Sequence, residues 1–240
     1  MLTSLVLAIA LPLYTFAAGA VGIPYALLTR DSRFLFWLAR RGVRLGFFLA
    51  RIRIVTHGLE KLPEAPHFIY MMNHNSNLDA PAVFMILPGE VRVLGKKELF
   101  RLPVLAAAMR LGGFVPVDRG DRDAAIESVR RAARIAADGA SFLIAPEGTR
   151  SRTGSLLPFK KGGFHMAIES QVPILPITVV GAFELLPPES YSVRPGTIEI
   201  FLHDPIETRG MDAKDRSSLM AKVRNAMLPS LSRYEHGAVL

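Results

Sequence analysis

The sequence predicts an α/β protein: a single layered domain with a mixed, largely parallel sheet flanked by helices, preceded by an N-terminal membrane-associated helical segment. Two observations predict it. From residue 51 onward, short apolar runs alternate with longer stretches of helical periodicity, the pattern of sheet and helix layers. Ahead of them, residues 1–28 carry no charged side chain and are dominated by Leu, Val, Ile, Ala and Phe. The boundaries that follow are 1–50 for a membrane anchor with a basic amphipathic helix, and 51–240 for the folded domain.

The opening stretch is long enough to cross the hydrocarbon core as a helix, which takes about 20 apolar residues. Pro12, Gly19, Gly22 and Pro24 are expected to kink or loosen it, so a half-inserted helix is a second reading. A cleaved signal peptide is a third, because 17–20 is a run of small residues. Against it, no Lys or Arg precedes the apolar run, and apolarity continues past that point. Next come Arg30, Arg33, Arg40, Arg41, Arg44, Arg51 and Arg53, set among Phe34, Phe36, Trp37, Phe47 and Phe48. Arginines that snorkel toward phosphates, with aromatic rings below them, suit a headgroup layer. An amphipathic helix packed on the domain is the alternative, and the two are compatible. By the positive-inside tendency, these arginines keep the domain on the cytoplasmic face of the inner or plasma membrane.

Within the domain, strands are expected at 52–56, 67–72, 91–94, 114–117, 141–145, 174–180 and 197–202. Helices are expected at 81–87, 103–111, 122–138, 161–169 and 214–228. In 122–138, Ile126, Val129, Ala133 and Ala136 recur at helical spacing, arginines line the other face, and Gly139 marks the stop. No internal repeat or low-complexity linker suggests a second domain.

Composition narrows the partners. Half of the 240 residues are hydrophobic, yet 21% are charged, which fits a globular domain with a membrane-seeking part. A net charge of +8 calls for an anionic partner: nucleic acid, an anionic membrane or a phosphorylated substrate. No zinc-finger spacing, RNP-like aromatic segment or basic tail favours nucleic acid, so none is expected. The chain has no cysteine, which removes disulfides, thiolate metal sites and cysteine nucleophiles.

The chemistry concentrates in two segments. In the first, Asn73-His74-Asn75-Ser76-Asn77-Leu78-Asp79, an apolar strand runs into a turn-forming spacer. On one continuous helix His74 and Asp79 would point about 140° apart. They meet only if His74 lies in the turn and Asp79 begins the next helix. Such a pair suits general-base work, with the carboxylate fixing the imidazole tautomer. The plain alternative makes Asp79 a helix N-cap before Ala80-Pro81 and His74 a buried hydrogen-bonding side chain.

In the second segment, a buried strand delivers Glu147, Gly148, Thr149, Arg150, Ser151 and Arg152 into a loop. Glycine permits close backbone approach, and arginine pairs bidentately with phosphate. Phe159-Lys160-Lys161-Gly162 adds cationic donors. A third cluster, 112–119, ends on Asp118-Arg119. Lys96-Lys97 is a weaker pair. The plain readings are a solvated basic loop for the second segment, a surface turn for Asp118-Arg119, and two solvated lysines for Lys96-Lys97.

Four ordered segments together resemble the glycerolipid acyltransferase family, above all its lysophosphatidic acid acyltransferase branch. They are His74 with Asp79, Phe114 to Arg119, Pro146 to Ser151, and Val172-Pro173-Ile174-Leu175-Pro176. The likeness runs over roughly residues 55 to 205, with Ala145 a departure where a bulkier residue commonly stands. The resemblance implies single-step acyl transfer from acyl-CoA or an acyl carrier protein to a lysophospholipid hydroxyl, with His74 as base and Asp79 orienting it. It assigns phosphate binding to Arg119, Glu147, Gly148, Thr149 and Arg150. Because like charges repel, Glu147 is expected to hold Arg150 or the loop instead. Asn73, Ser76, Lys96, Lys160 and Lys161 are supporting candidates, and Val172, Pro173, Ile174 and Pro176 are expected to line an acyl or acceptor tunnel. Neither a metal nor a cofactor is called for. Another lysolipid acceptor such as lyso-ornithine lipid, a thioester hydrolase, and a non-catalytic lipid-binding module are the alternatives. A Gly-x-Ser-x-Gly nucleophile elbow is absent, which weighs against the hydrolase.

Overall fold

The computed structural model describes residues 2–62 and 67–235, so 236–240, inside the expected domain boundary, lie outside the described residues. Two helices lead the chain, α1 (Leu2–Thr29) and α2 (Arg33–Ala50). The domain follows as β1 (Ile52–His57), β2 (Ile69–Met72), α3 (Asp79–Ile86), β3 (Val91–Lys96), α4 (Pro103–Leu111), β4 (Val115–Val117) and α5 (Arg122–Ala137). It continues with β5 (Ser141–Ile144), α6 (Gly162–Ser170), β6 (Ile174–Val180), α7 (Ala182–Leu185), β7 (Gly196–Leu202) and α8 (Arg216–Glu235). All seven expected strands form. The one-turn helix α7 was not expected, being too short to carry a period. Helix α8 runs past its expected end at 228, straight through Pro229. The bond that this proline removes would have gone to the carbonyl of Asn225, and both residues face solvent, where water can take that carbonyl.

The seven strands form one sheet in the order β1-β7-β6-β2-β5-β3-β4. Every neighbouring pair is parallel except β6 and β7. The central strands β2 and β6 are buried along their whole length, as a sheet covered on both faces requires. Alternation splits their side chains between two cores. Tyr70, Met72, Leu175, Ile177 and Val179 pack with α2, α3 and α7. Ile69, Met71 and Ile174 pack with Ala132, Ala133 and Ala136 of α5, Phe164 of α6, and Leu219, Val223 and Met227 of α8.

This layering decides where loops meet. The chain leaves β2 through α3 on one face and travels one way to β3. From the adjacent strand β5 it leaves through α6 on the opposite face and travels the other way to β6. The two crossovers run in opposite directions on opposite faces, so both set out over the carboxyl ends of β2 and β5, the end of the strands at which open α/β sheets bind ligands. The loops holding His74 and Glu147 face each other there.

Helix α1 is long and apolar enough to cross a membrane, with a mean hydropathy of 2.0 in its most apolar window, and little of that window is buried. Leu5, Ile9, Leu13, Phe16, Val21 and Leu27 point outward. Its inner face packs on α2, where Tyr14 donates to the Leu38 carbonyl at 2.7 Å. Helix α2 packs inward through Leu35, Phe36 and Phe47, and Arg40 donates to the Leu87 carbonyl at 3.1 Å. Trp37 and Phe48 stay exposed on its outer face, so the packed-helix reading of this segment holds for its inner face. A Cβ on Gly42 would lie 2.6 Å from the Tyr14 ring. Gly42→Leu should therefore displace Tyr14 from Leu38 and cost about 1–3 kcal/mol, as overpacking does. A thermal melt should fall by several degrees; an unchanged melt would show that the contact contributes little.

Candidate active site

Strand β2 is prolonged by a side chain. The Asn73 amide accepts from Val179 N–H at 2.7 Å and donates to Val179 C=O at 2.8 Å, standing in for one more pair of rungs with β6. The chain then turns through 74–78. Ser76 is fully buried, and its hydroxyl donates to the Leu186 carbonyl at 2.8 Å, so it is not available as a nucleophile. Asp79 is the first residue of α3, with Leu78 at the N-cap position, and it caps nothing downstream. Instead its Oδ2 looks back, accepting from Asn75 N–H and Ser76 N–H, each at 2.7 Å. The N-cap expectation is corrected in direction: Asp79 closes the turn before the helix.

The same Oδ2 lies 2.9 Å from His74 Nδ1. A carboxylate oxygen only accepts, so Nδ1 carries the proton and Nε2 presents its lone pair. Asp79 is wholly buried, whereas the His74 side chain keeps 18% of its surface open. The start of α3 adds the positive end of a helix dipole beside the carboxylate. This arrangement suits a base: an oriented ring, a buried counter-charge and an accessible nitrogen.

Glu147, in the loop after β5, fixes the backbone below that ring. Its Oε1 accepts from His74 N–H at 2.6 Å and its Oε2 from Leu157 N–H at 2.7 Å. From the same loop, Ser151 N–H donates to His74 C=O at 2.8 Å. Both polar groups of the His74 main chain are thus held by one loop. Glu147 is buried and both its oxygens are taken by main-chain donors, so of its two expected partners it holds the loop, through Leu157 N–H, and neither Arg150 nor phosphate. Burial pushes its carboxyl up to about 7, against the pull of the Leu157 and His74 donors.

The other expected site residues divide. Gly148 takes a left-handed φ of 68°, and the Lys160 side chain packs against it where a Cβ would stand, 2.7 Å from Lys160 Cδ. Thr149 is exposed. Arg150 is half-buried and spends one N–H on the Pro188 carbonyl at 2.9 Å. Lys161 is exposed at the start of α6. Lys96 and Arg119 are exposed at the carboxyl ends of β3 and β4, on the same edge of the sheet as His74 but on the far strands. Since β4 is three strands from β2, Arg119 starts roughly 14 Å away.

The tunnel expectation does not hold. Ile174 pairs with Ile69, five residues before His74, which puts this segment roughly 16 Å down the sheet from the imidazole. Val172 and Ile174 belong to the packed core beside α5 and α6, Pro173 accepts Ile69 N–H, and Pro176 is buried opposite Met71. Sequence reasoning also missed the stretch after α7, which reaches Ser76 through Leu186 and Arg150 through Pro188. Main-chain carbonyls carry no residue signature, so nothing in the sequence marked them. Among the described residues, no group of three or more His, Cys, Asp or Glu side chains could hold a metal ion.

A parallel-rich sheet with a histidine–carboxylate pair at the carboxyl ends of its strands defines a class of α/β enzyme-like proteins, and comparison with known proteins narrows it. The family model described as Acyltransferase matches residues 53–180, more than half of the chain, so the chain belongs to that family. A chloroplast 1-acyl-sn-glycerol-3-phosphate acyltransferase of Arabidopsis thaliana is 31% identical over 55% of this chain and 37% of its own. The 1-acyl-sn-glycerol-3-phosphate acyltransferase of Borreliella burgdorferi is 28% identical over 50% of this chain and 48% of its own. The human 1-acyl-sn-glycerol-3-phosphate acyltransferase alpha is 30% identical over 75% of this chain and 64% of its own. The chain thus spans half or less of the first two relatives' length. The crystal structure of the 1-acyl-sn-glycerophosphate acyltransferase PlsC from Thermotoga maritima superposes with a TM-score of 0.76, covering 94% of this chain and 95% of that one. At 24% identity, this likeness speaks for the fold.

The Glu147 carboxyl gives a pH signature. Its pKa rises from 4.5 in the open chain to about 7 in the fold, so the folded state binds more protons between those values. The share of stability that Glu147 contributes should fall by about 3 kcal/mol as pH rises through that window, while His165 and His203, whose imidazoles burial holds low, act in the opposite sense. In Glu147→Gln that share should be missing, so the gap between wild type and variant narrows as pH rises, although the variant is less stable throughout, since an amide nitrogen then faces one of the two N–H donors. Urea midpoints between pH 4.5 and 7.5 check this; an equal slope in both proteins would refute it.

Proposed function

We propose that this protein moves a fatty acyl group from a thioester, acyl-CoA or acyl carrier protein, to the free hydroxyl of a lysophospholipid at a membrane surface. The acceptor favoured is 1-acyl-sn-glycerol 3-phosphate, giving phosphatidic acid. The observation that carries this reading is His74: Nδ1 donates to buried Asp79 while Nε2 stays open to solvent. Membership of the Acyltransferase family and the activities its relatives are named for support the acyl chemistry and the acceptor.

In the reaction, His74 Nε2 takes the proton of the acceptor hydroxyl as its oxygen attacks the thioester carbonyl. Asp79 stabilises the imidazolium that forms. The carbon–sulfur bond then breaks, and the proton on Nε2 goes to the departing thiolate, restoring neutral His74. No acyl-enzyme is formed, which accords with a buried Ser76 hydroxyl already bonded to Leu186. Arg119, Thr149, Arg150 and Lys160, with the Gly148 main chain, are the groups proposed to receive the acceptor phosphate, Arg150 with the donors left free by Pro188. Helix α1 would sit in the bilayer, and the arginines of α2 would hold the domain on the cytoplasmic face.

The test supplies an acyl thioester with and without lysophosphatidic acid. Free thiol and diacyl lipid should appear in equal amounts, and only with acceptor present. Thiol release that ignores the acceptor would mean a hydrolase, and binding without release a lipid-binding module. His74→Ala should lower kcat by a factor on the order of 10²–10⁴ while vesicle binding is unchanged. Activity retained in that variant would remove His74 from the chemistry.

A further inference from the structure

The loop between β5 and α6 spans residues 145–161 without helix or strand, yet its middle must present Leu157 N–H to Glu147 with little error. Something outside the loop has to hold it. Two main-chain carbonyls at that point, those of Leu157 and Leu156, accept from the Arg224 guanidinium, Nη1 at 3.0 Å and Nη2 at 3.4 Å. The guanidinium carbon also lies 5.7 Å from the centre of the Phe159 ring, so the cation touches the loop at a third residue. Arg224 in turn stands on a firm base. Its neighbours on α8, Leu219, Val223 and Met227, are fully buried in the sheet's second core, and the Thr178 hydroxyl of β6 donates to the Met227 carbonyl at 3.3 Å.

We propose that Arg224 is a positioning residue for His74, acting through Leu157 and Glu147. The inference deepens the acyltransferase reading and rests on it. The relay has four members and no gap: α8 to Arg224, Arg224 to the Leu156 and Leu157 carbonyls, Leu157 N–H to Glu147, Glu147 to His74 N–H. A planar fork suits two adjacent carbonyls better than an ammonium, which offers one point of contact. The guanidinium is reachable from outside: with Ser155, Leu156 and Leu228 it lines a surface hollow of about 530 Å³. Helix α8 lies beyond the residues that the family model matches, so this part of the site is carried by the C-terminal segment.

The test uses the full chain in lipid vesicles. Arg224→Ala should lower kcat about tenfold, the scale of a small displacement of a catalytic group, with KM for donor and acceptor within about twofold. Free guanidinium at millimolar levels, entering through the hollow, should restore much of the loss, and ammonium at the same ionic strength should not. Arg224→Lys should fall between wild type and Arg224→Ala, and it carries the same comparison if the alanine variant fails to fold. In a Glu147→Gln background, Arg224→Ala should cost nothing further. A second readout needs no turnover: amide exchange at His74 and Leu157 should speed up at least about tenfold in Arg224→Ala while β1 is unaffected. Unchanged exchange at those amides would overturn the relay, whether or not the protein transfers acyl groups. Unchanged kcat, or a loss that guanidinium leaves in place, would do the same. Wild-type protein without acceptor-dependent thiol release would sink the acyltransferase reading alone.

Discussion

The main chain of His74 is bonded on both sides to one loop, its N–H to Glu147 and its C=O to Ser151 N–H. That clamp is possible because β2 and β5 are neighbouring parallel strands, so the loops at their carboxyl ends start about 5 Å apart. The main-chain clamp determines where the imidazole can lie, and Asp79 then determines which nitrogen faces out. Substrate groups, wherever they come from, meet a ring whose position was settled by the sheet.

Burying Glu147 is costly, and the raised carboxyl records that cost. Two main-chain donors offset part of it, and they are the donors whose positions matter for the site. Glutamine, of the same shape, could not accept from both. A carboxyl is kept in the core here as a device for precision, at some expense of stability. Asp79 follows the same logic on a smaller scale: one oxygen gathers three donors, two of them main-chain groups of the turn that carries His74.

Much of this was legible in the sequence, and the reasons differ by element. The strands could be read because a sheet buried on both faces needs unbroken apolar runs, and β2 and β6 supply them. For His74 and Asp79, helical geometry set the condition for contact, a turn before the helix start, and the structure meets it. Three features were not legible. The target of Asp79 was misread because a carboxylate at a helix start has donors on either side, and its choice depends on how the turn closes. The 172–176 segment looked like a lining because its motif is distinctive, yet a distinctive strand in the centre of a sheet is also what a core needs. Glu147 read as a loop charge, since nothing local says that its two partners are the main chain of His74 and of Leu157, seventy-three and ten residues away. Partners offered by the main chain have no letter in the sequence.

The central claim is that Asp79 supplies a charge to the imidazolium as well as a shape to the turn, and one substitution separates the two. Because a single oxygen takes all three donors and Oδ1 has no partner among the described residues, an asparagine can keep every bond with its own carbonyl oxygen. The measurement is kcat of Asp79→Asn for acceptor-dependent thiol release. A fall on the order of 10–10³-fold, with KM within about twofold of wild type, is the expected result. Turnover equal to wild type would contradict it, leaving Asp79 as a brace for the turn and His74 without its counter-charge.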